Sequence, residues 1–167
     1  MDYEKEQLFS DTILVKIKNI KKNVDNYLKY YLRNKFEGKC YNNSYILKDS
    51  IIIIKRSHGR ICTIDDEGYI KYEITYKVKS ITPVKNEKYD CKISSITKMG
   101  VVGYLDYKDN SNIEESPLLF IIPRIYFQDK DLNKIKSGDI ILVELLDIRT
   151  KFMKKQIQVV AKPVEGL

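Results

Sequence analysis

The sequence predicts an α+β fold, in which one helix packs on an antiparallel sheet and a five-stranded β-barrel follows. Apolar residues recur at helical spacing in Lys22–Phe36, and they alternate with polar residues in Gly68–Ile81. After Thr82-Pro83 the chain contains only short runs rich in β-branched and aromatic residues. Because proline cannot donate to a sheet ladder, we place the domain boundary there and expect two domains, 1–81 and 82–167.

The first domain begins with a predicted strand at Asp11–Lys18 and continues with a predicted amphipathic helix. Glu37-Gly38 ends this helix, since glycine readily takes the left-handed conformation just past a last turn. We interpret the apolar face as a packing surface for the sheet rather than as a ligand site. Its members are Val24, Tyr27, Leu28, Tyr31, Leu32 and Phe36.

Three further segments of the first domain read as strands: "KCYNNSYIL", "SIIIIK" and "GYIKYEITYKVKSI". The last shows a period of two, with one apolar face and one polar face. Its predicted core residues are Ile70, Tyr72, Ile74, Tyr76 and Val78. The polar segment Lys55–Gly68 contains two glycines and is expected to form an exposed loop or a protruding hairpin.

The second domain has the pattern of a small Greek-key barrel, the OB-fold. Lys98-Met99-Gly100 is predicted to form a three-residue hairpin loop, and Ser137-Gly138-Asp139 a tight turn into the fourth strand. The predicted strands are Tyr89–Ile96, Val101–Leu105, Leu118–Ile122, Ile140–Ile148 and Gln156–Ala161.

Composition narrows the class of protein. The formal net charge is +7, from 30 basic and 23 acidic residues, which would favour a polyanionic partner; lysine-rich usage also arises in AT-rich genomes, where the lysines are solvated surface. No run approaches the roughly 18 apolar residues of a membrane helix, and the polar start does not resemble a signal peptide. Cys40, Cys62 and Cys91 are widely spaced, so we expect buried thiols rather than disulfides or a zinc site.

The sequence offers little for catalysis. His58 is the single histidine and lies in a polar loop, without a nucleophile pattern around it. The carboxylate runs Asp65-Asp66-Glu67 and Glu114-Glu115 lie in predicted loops, and Gly100-x-x-Gly103 lacks the strand-to-helix context of a phosphate loop. We therefore expect a binding protein without a cofactor, a metal or an active site of its own.

Several local strings resemble the seventh, stalk subunit of eukaryotic RNA polymerase II and its archaeal counterpart. They are "FEGKC", "GYIKYEITYKVKSITPVKNEKYDCKISSITKMGVVG" and "GDIILVELLDIRTKFMKKQIQVVA", and together they extend over nearly the whole chain. The matching positions are Gly38, Cys40, Gly68, Tyr72, Tyr76, Lys77, Lys98, Gly100, Arg149 and Thr150. The chain departs from the family in a compact segment before the fourth barrel strand and in a tip loop without extra glycines and a proline. These departures indicate a divergent member of the family, and the lysine-rich composition favours a large DNA virus with an AT-rich genome as its source.

The resemblance implies a ribonucleoprotein-like tip domain followed by the OB barrel, in a noncatalytic stalk subunit of a DNA-directed RNA polymerase. The implied partners are the largest core subunits at the clamp, a smaller stalk subunit in a heterodimer, and nascent single-stranded RNA, with no membrane partner. A viral protein of this kind would be found in the virion and the host cytoplasm, and a cellular eukaryotic one in the nucleus.

Two sets of residues are the candidates for these contacts. The expected polymerase-core interface comprises Tyr45, Lys55, Arg56, Ser57, His58, Gly59 and Arg60. Aromatic rings can stack on unpaired bases while cations follow the phosphates, so the barrel offers an RNA-binding set. This set is Lys92, Lys98, Tyr104, Tyr107, Lys108, Arg124, Tyr126, Arg149, Lys151, Lys154 and Lys155.

Other readings remain open at this point. Tyr104 and Tyr126 could belong to the barrel core, with the lysines as solvated surface. A free-standing OB-fold RNA-binding protein, such as a translation factor, would explain the basic barrel but not the first domain. A nuclease would need clustered carboxylates for metal ions, and the predicted strands provide none at suitable spacing.

Overall fold

The structure, a computed structural model, describes residues 3–20, 22–107 and 112–164, without the side chains of residues 129 and 130. Two short 3-10 turns occur at Ile17–Asn19 and Arg124–Tyr126. The helices are α1 (Val24–Phe36) and α2 (Asp129–Leu132). The strands are β1 (Lys5–Lys16), β2 (Cys40–Tyr41), β3 (Ser44–Ile46), β4 (Ile52–Arg56), β5 (Arg60–Ile64), β6 (Glu67–Ile81), β7 (Lys88–Thr97), β8 (Gly100–Tyr104), β9 (Leu118–Pro123), β10 (Ile140–Arg149) and β11 (Ile157–Pro163).

The chain divides by its contacts into two compact units. The first contains the described part of Met1–Glu37 together with Ile46–Ser80, and the second contains Gly38–Tyr45 together with the described part of Ile81–Leu167. The domain limits 1–81 and 82–167 stay a prediction. In the described ranges, no helix is both long enough and apolar enough to cross a bilayer.

In the first unit, β6 is the central strand of an antiparallel sheet. It pairs with β1 from Lys5↔Ser80 to Lys16↔Tyr69, and with β4 and β5 elsewhere along its length. Tyr72, Ile74, Tyr76 and Val78 are buried, which agrees with the two-residue period of the sequence. The predicted first strand, Asp11–Lys18, is too short: β1 begins six residues earlier, at Lys5, and its partner β6 continues to Ile81.

Helix α1 confirms the predicted helix and its apolar face. The side chain of Asn23 caps its first turn by accepting the backbone N–H of Asn26 at 3.1 Å, and Gly38 follows its last residues with a φ of 70°. Leu28, Leu32 and Phe36 are buried, and the ring of Phe36 stacks on that of Tyr76 with centroids 6.0 Å apart. The helix therefore packs on the inner face of the sheet.

The segment expected to be a loop or hairpin between residues 55 and 68 is mostly β-structure. Strand β5 forms a hairpin with β6, and the pair Ile64↔Glu67 encloses a two-residue turn. Asp65 and Asp66 have φ values of 49° and 61°, which suit a tight hairpin turn that favours small polar residues. Outside the strands, this segment consists of that turn and of Ser57, His58 and Gly59, which link β4 to β5, so the hairpin alternative describes it better.

The second unit confirms the predicted five-stranded barrel. Strand β7 pairs with β8 and β10, β8 with β9, and β10 with β11, all antiparallel, and β9 pairs in parallel with β11 to close the barrel. Cys91, Phe120, Val143 and Val159 are among the fully buried core residues. Gly103 allows β7 and β8 to approach closely, because a Cβ there would lie 2.3 Å from Cys91 Sγ.

The hairpin between β7 and β8 is tighter than expected. Thr97 pairs directly with Gly100, so Lys98 and Met99 form a two-residue loop and the predicted three-residue loop is wrong. Gly100 is the first residue of β8 and has a φ of +146°. A Cβ at this position would lie 2.2 Å from the carbonyl oxygen of Ile122, so the glycine is needed by the packing of the strand rather than by the loop.

Candidate nucleic-acid interface

The barrel carries a groove of about 450 Å³ along the loop between β10 and β11. Arg149 ends β10, and three lysines of the loop follow it. We call this the basic groove and define it by its lining residues, Glu114, Arg149, Lys151, Lys154, Lys155, Gln156 and Gln158. Folding therefore brings together four cations that the sequence predicted to bind RNA.

The charge of the basic groove is largely uncompensated. In the described part of the chain, no carboxylate oxygen lies within 4.0 Å of the ammonium groups of Lys151, Lys154 or Lys155. Arg149 Nε lies 3.9 Å from Asp147 Oδ2, at the limit of an ion pair, and the two side chains are 71% and 49% exposed. Four cations thus line the groove together with one carboxylate, Glu114, and this surplus suits the phosphates of a polyanion.

The local backbone gives the loop a defined turn. Met153 has a φ of 60°, and the backbone N–H of Lys154 donates to the carbonyl of Lys151 at 3.1 Å. Phe152 stands in the same turn with 69% of its surface exposed. An exposed ring among cations can stack on an unpaired base. Phe152 was not among the predicted RNA-binding residues, although an aromatic residue between lysines in a predicted loop is a usable indication.

A second cationic surface lies at the tip of the β7–β8 hairpin. Lys98 and Arg124 are exposed, and Arg124 Nη1 donates to the carbonyl of Lys98 at 3.5 Å. The backbone N–H of Arg124 donates to the carbonyl of Met99 at 3.1 Å, which ties the hairpin to the turn after β9. Tyr126 in that turn is 41% exposed. Three more of the predicted RNA-binding residues therefore share one surface.

Lys92 and Tyr104 are directly opposed in the β7–β8 ladder, and there the structure corrects the expectation for the tyrosine. Tyr104 is only 6% exposed, so its ring belongs to the core and does not offer a face to a base. Lys92 Nζ lies 6.0 Å from the centre of that ring and 3.3 Å from Asp106 Oδ2. The hydrogen bond to Asp106, followed by the attraction of its charge, raises the pKa of Lys92. The positive charge of Lys92 is therefore already compensated by Asp106.

The remaining members of the predicted set lie after β8. Tyr107 is half-buried, and Lys108 lies outside the described residues. Among the barrel residues that the structure describes, the basic groove and the hairpin tip are thus the two places where predicted RNA-binding side chains are both exposed and adjacent.

In the first unit, most of the predicted polymerase-core interface surrounds the junction of β4 and β5. Lys55, His58 and Arg60 are exposed. Ser57 fixes the junction to β6: its backbone N–H donates to the carbonyl of Glu73 at 2.8 Å, and its Oγ accepts the N–H of Glu73 at 2.9 Å. A Cβ at Gly59 would lie 2.5 Å from Ile70 Cγ2, so this position favours glycine.

Arg56 is tied to its neighbours rather than free. Its Nε forms an ion pair with Asp25, and its guanidinium lies 5.6 Å from the centre of the Tyr72 ring. The hydrogen bond to Asp25 raises the pKa of Arg56. Lys55 and Arg56 also line a trough of about 660 Å³. The hydroxyl-bearing residues Ser10, Thr12 and Thr75 line it too, and they were not among the predicted interface residues.

Tyr45 does not belong to this exposed surface, which corrects the expectation. It lies in β3 and is only 6% exposed, and burial is the main reason that its pKa is raised. The apolar pattern of "SYIL" places it in a strand, and the structure buries that strand in full.

The cysteines and acidic residues of the described ranges contain no group of three or more metal-ligating side chains. Cys40 and Cys91 are buried free thiols, and Cys62 is half-buried. Burial raises the pKa of Cys40 to about 11 and that of Cys91 to about 12, so both thiols stay protonated at neutral pH.

A closed barrel with an exposed cationic groove defines a candidate binding protein for a polyanion. Over 148 residues the chain is 27% identical to a protein of Acanthamoeba polyphaga mimivirus that carries the name of a DNA-directed RNA polymerase subunit. The match covers 84% of this chain and 71% of that protein. No model of a protein family matches the chain. The chain is thus a distant homologue of the mimivirus protein, which confirms the predicted resemblance to an RNA polymerase subunit. The assignment to the stalk subunit in particular stays a prediction.

Proposed function

We propose that the protein is a noncatalytic, stalk-type subunit of a multisubunit DNA-directed RNA polymerase and that its barrel binds nascent single-stranded RNA. The similarity to the mimivirus protein supports membership in a polymerase. The observation that carries the RNA-binding part is the basic groove, in which four cations line about 450 Å³ of space with one carboxylate.

In this proposal the barrel is an OB-fold, and the loop between its last two strands is one of the two loops that such barrels use for oligonucleotides. The lysines follow the phosphates, and Phe152 stacks on a base. One stacked base contributes roughly 1–3 kcal/mol and discriminates little between bases, so binding is tolerant of sequence. The hairpin tip, with Lys98, Arg124 and Tyr126, extends the path of the strand.

The first unit takes the role of the ribonucleoprotein-like tip domain, which docks on the clamp of the polymerase core. Lys55, His58 and Arg60 supply the exposed contacts, while Ser57 and Gly59 hold the junction in its conformation. A smaller stalk subunit is the proposed heterodimer partner. The viral relative favours the virion and the host cytoplasm as the locations of the complex.

The experiment that tests this proposal is affinity purification of the tagged full chain from its native source at moderate salt. We expect the two largest polymerase subunits and a small stalk partner to be identified by mass spectrometry. Recovery of ribosomes, or of RNA without polymerase, would contradict the proposal. The free-standing OB-fold RNA-binding protein would then replace it.

A further inference from the structure

The loop of the basic groove is bridged to the β2–β3 hairpin by a pair of backbone hydrogen bonds. The N–H of Cys40 donates to the carbonyl of Lys154 at 2.7 Å, and the N–H of Met153 donates to the carbonyl of Cys40 at 2.9 Å. Cys40 thus pairs with the loop in the way that a residue of one β-strand pairs with the neighbouring strand. The partners are separated by more than a hundred residues of sequence, so sequence patterns did not indicate the bridge.

Side chains extend the same bridge at both sides of the loop. Thr150 Oγ1 donates to Asn43 Oδ1 at 3.0 Å, just where β10 passes into the loop. The rings of Tyr41 and Phe152 meet with centroids 6.1 Å apart. The β2–β3 hairpin therefore contacts the first residue of the loop, its exposed aromatic residue and its central lysine.

The hairpin has the features of a rigid support. Asn42 and Asn43 form its two-residue turn with φ values of 53° and 61°, a conformation that asparagine tolerates well. Ser44, which follows the turn, is fully buried, and its Oγ lies 2.7 Å from Thr82 Oγ1. The turn is thus anchored to the start of the segment that leads into the barrel.

A cationic loop needs such a support before it binds. Lys151, Lys154 and Lys155 repel one another in a segment of only a few residues, and the free loop has many conformations in which the cations lie apart. When only a fraction of a protein is in the binding-competent conformation, its apparent affinity falls by that fraction. A contact that holds the loop in place therefore increases affinity without touching the ligand.

We propose that the β2–β3 hairpin positions the basic groove for single-stranded RNA and that Asn43 and Thr150 are the positioning residues. This role rests on the proposed RNA-binding function of the barrel. The hairpin precedes the barrel by about forty residues in sequence, so it couples an early segment of the chain to the RNA site.

The test compares four variants of the full chain with the unaltered protein. Asn43→Gly removes the acceptor and suits the turn, because glycine takes positive φ freely. Thr150→Val removes the donor at nearly constant shape, whereas Thr150→Ser keeps it. Asn42→Gly is the matched control, since it alters the neighbouring turn position on the same grounds. The probe is a fluorescent oligouridylate of about 12 nucleotides, within the range of sites of such barrels.

We expect Asn43→Gly and Thr150→Val each to weaken binding by about threefold to tenfold, as the loss of one hydrogen bond allows. The dependence of affinity on salt should not change, because every cation is still present. Hydrogen exchange of the Met153 amide should become faster. Thr150→Ser and Asn42→Gly should behave like the unaltered protein.

The possible failures can be told apart. If the unaltered protein binds the oligouridylate and Asn43→Gly and Thr150→Val bind equally well, the positioning role is wrong and the RNA-binding proposal stands. A reduced salt dependence in Thr150→Val would mean that phosphate contacts were lost, which also contradicts a pure positioning role. If the unaltered protein does not bind, the RNA-binding proposal fails and the assigned role of the hairpin fails with it.

Discussion

Replacement of Arg149, Lys151, Lys154 and Lys155 by alanine would remove the four cations of the basic groove without removing any side chain of the barrel core. All four side chains are exposed, and none of them belongs to the barrel core. We therefore expect the variant to fold with near-normal stability, since surface substitutions away from special features change stability by less than about 0.5 kcal/mol. Its effect should appear in RNA binding.

The size of that effect follows from counterion release. Each cation that neutralises one phosphate of a single strand contributes about 0.7 to the slope of log affinity against log salt concentration. Four engaged cations therefore contribute about 3 to the slope. At a salt concentration of about 0.15 M, this corresponds to roughly hundredfold weaker binding.

The assay is fluorescence anisotropy of a single-stranded oligoribonucleotide, titrated at several salt concentrations. The matched control replaces Lys85, Lys88, Lys134 and Lys136, four exposed lysines of the same unit, and changes the net charge equally. If affinity for RNA depended only on net charge, the groove variant and the control variant would lose the same amount of affinity. Equal losses of affinity, or an unchanged salt slope in the groove variant, would show that these four cations do not contact the phosphates of the RNA.

Three further predictions concern the barrel core, its thiols and the first unit. Gly103→Ala should lower the free energy of unfolding by about 1–3 kcal/mol, because the new Cβ would lie 2.3 Å from Cys91 Sγ; adding Cys91→Ala should recover part of the loss in chemical denaturation, and no recovery would contradict this cause. Burial raises the pKa of Cys91 in the folded protein from 9.0 to about 12, so ionisation of this thiol should leave the free energy of unfolding unchanged below about pH 9 and should lower it at higher pH. The free energy of unfolding of Cys91→Ala should therefore fall less above about pH 9 than that of the unaltered protein. An equal fall would show that Cys91 is not responsible. Lys55→Glu with Arg60→Glu should release the subunit from polymerase in co-purification and leave the barrel folded, whereas unchanged co-purification would exclude this surface as the dock.

Strand periodicity predicted the barrel well because its strands are short and closely bounded by turns. The predicted strand Tyr89–Ile96 corresponds to β7, Lys88–Thr97. The alternation of apolar and polar residues in its sequence matches the alternation of buried and more exposed residues in the first part of the strand. Strand β1 was harder to predict, because its first half is polar and Leu8 faces solvent at 64% exposure. Its length is set by the long partner strand β6, which is a tertiary constraint.

The candidate site was predictable where its members are neighbours in sequence. Lys151, Lys154 and Lys155 lie close together along the chain, between the last two predicted barrel strands, so they could be assigned to one surface of the predicted barrel. Tyr104 and Tyr45 were placed on surfaces although they are buried, because a tyrosine in a strand does not reveal which face it occupies. The contact of Asn43 with Thr150 depends entirely on folding and had no counterpart in the sequence pattern.

Photo-crosslinking of the transcript, in polymerase purified through a tagged copy of this chain, tests directly whether the barrel contacts nascent RNA. A transcript that carries 4-thiouridine would be irradiated after elongation, and the crosslinked residues would be mapped by mass spectrometry. We expect crosslinks to the loop that contains Phe152, in a complex with the large polymerase subunits. A transcribing complex that lacks the chain, or crosslinks confined to other subunits, would contradict this expectation.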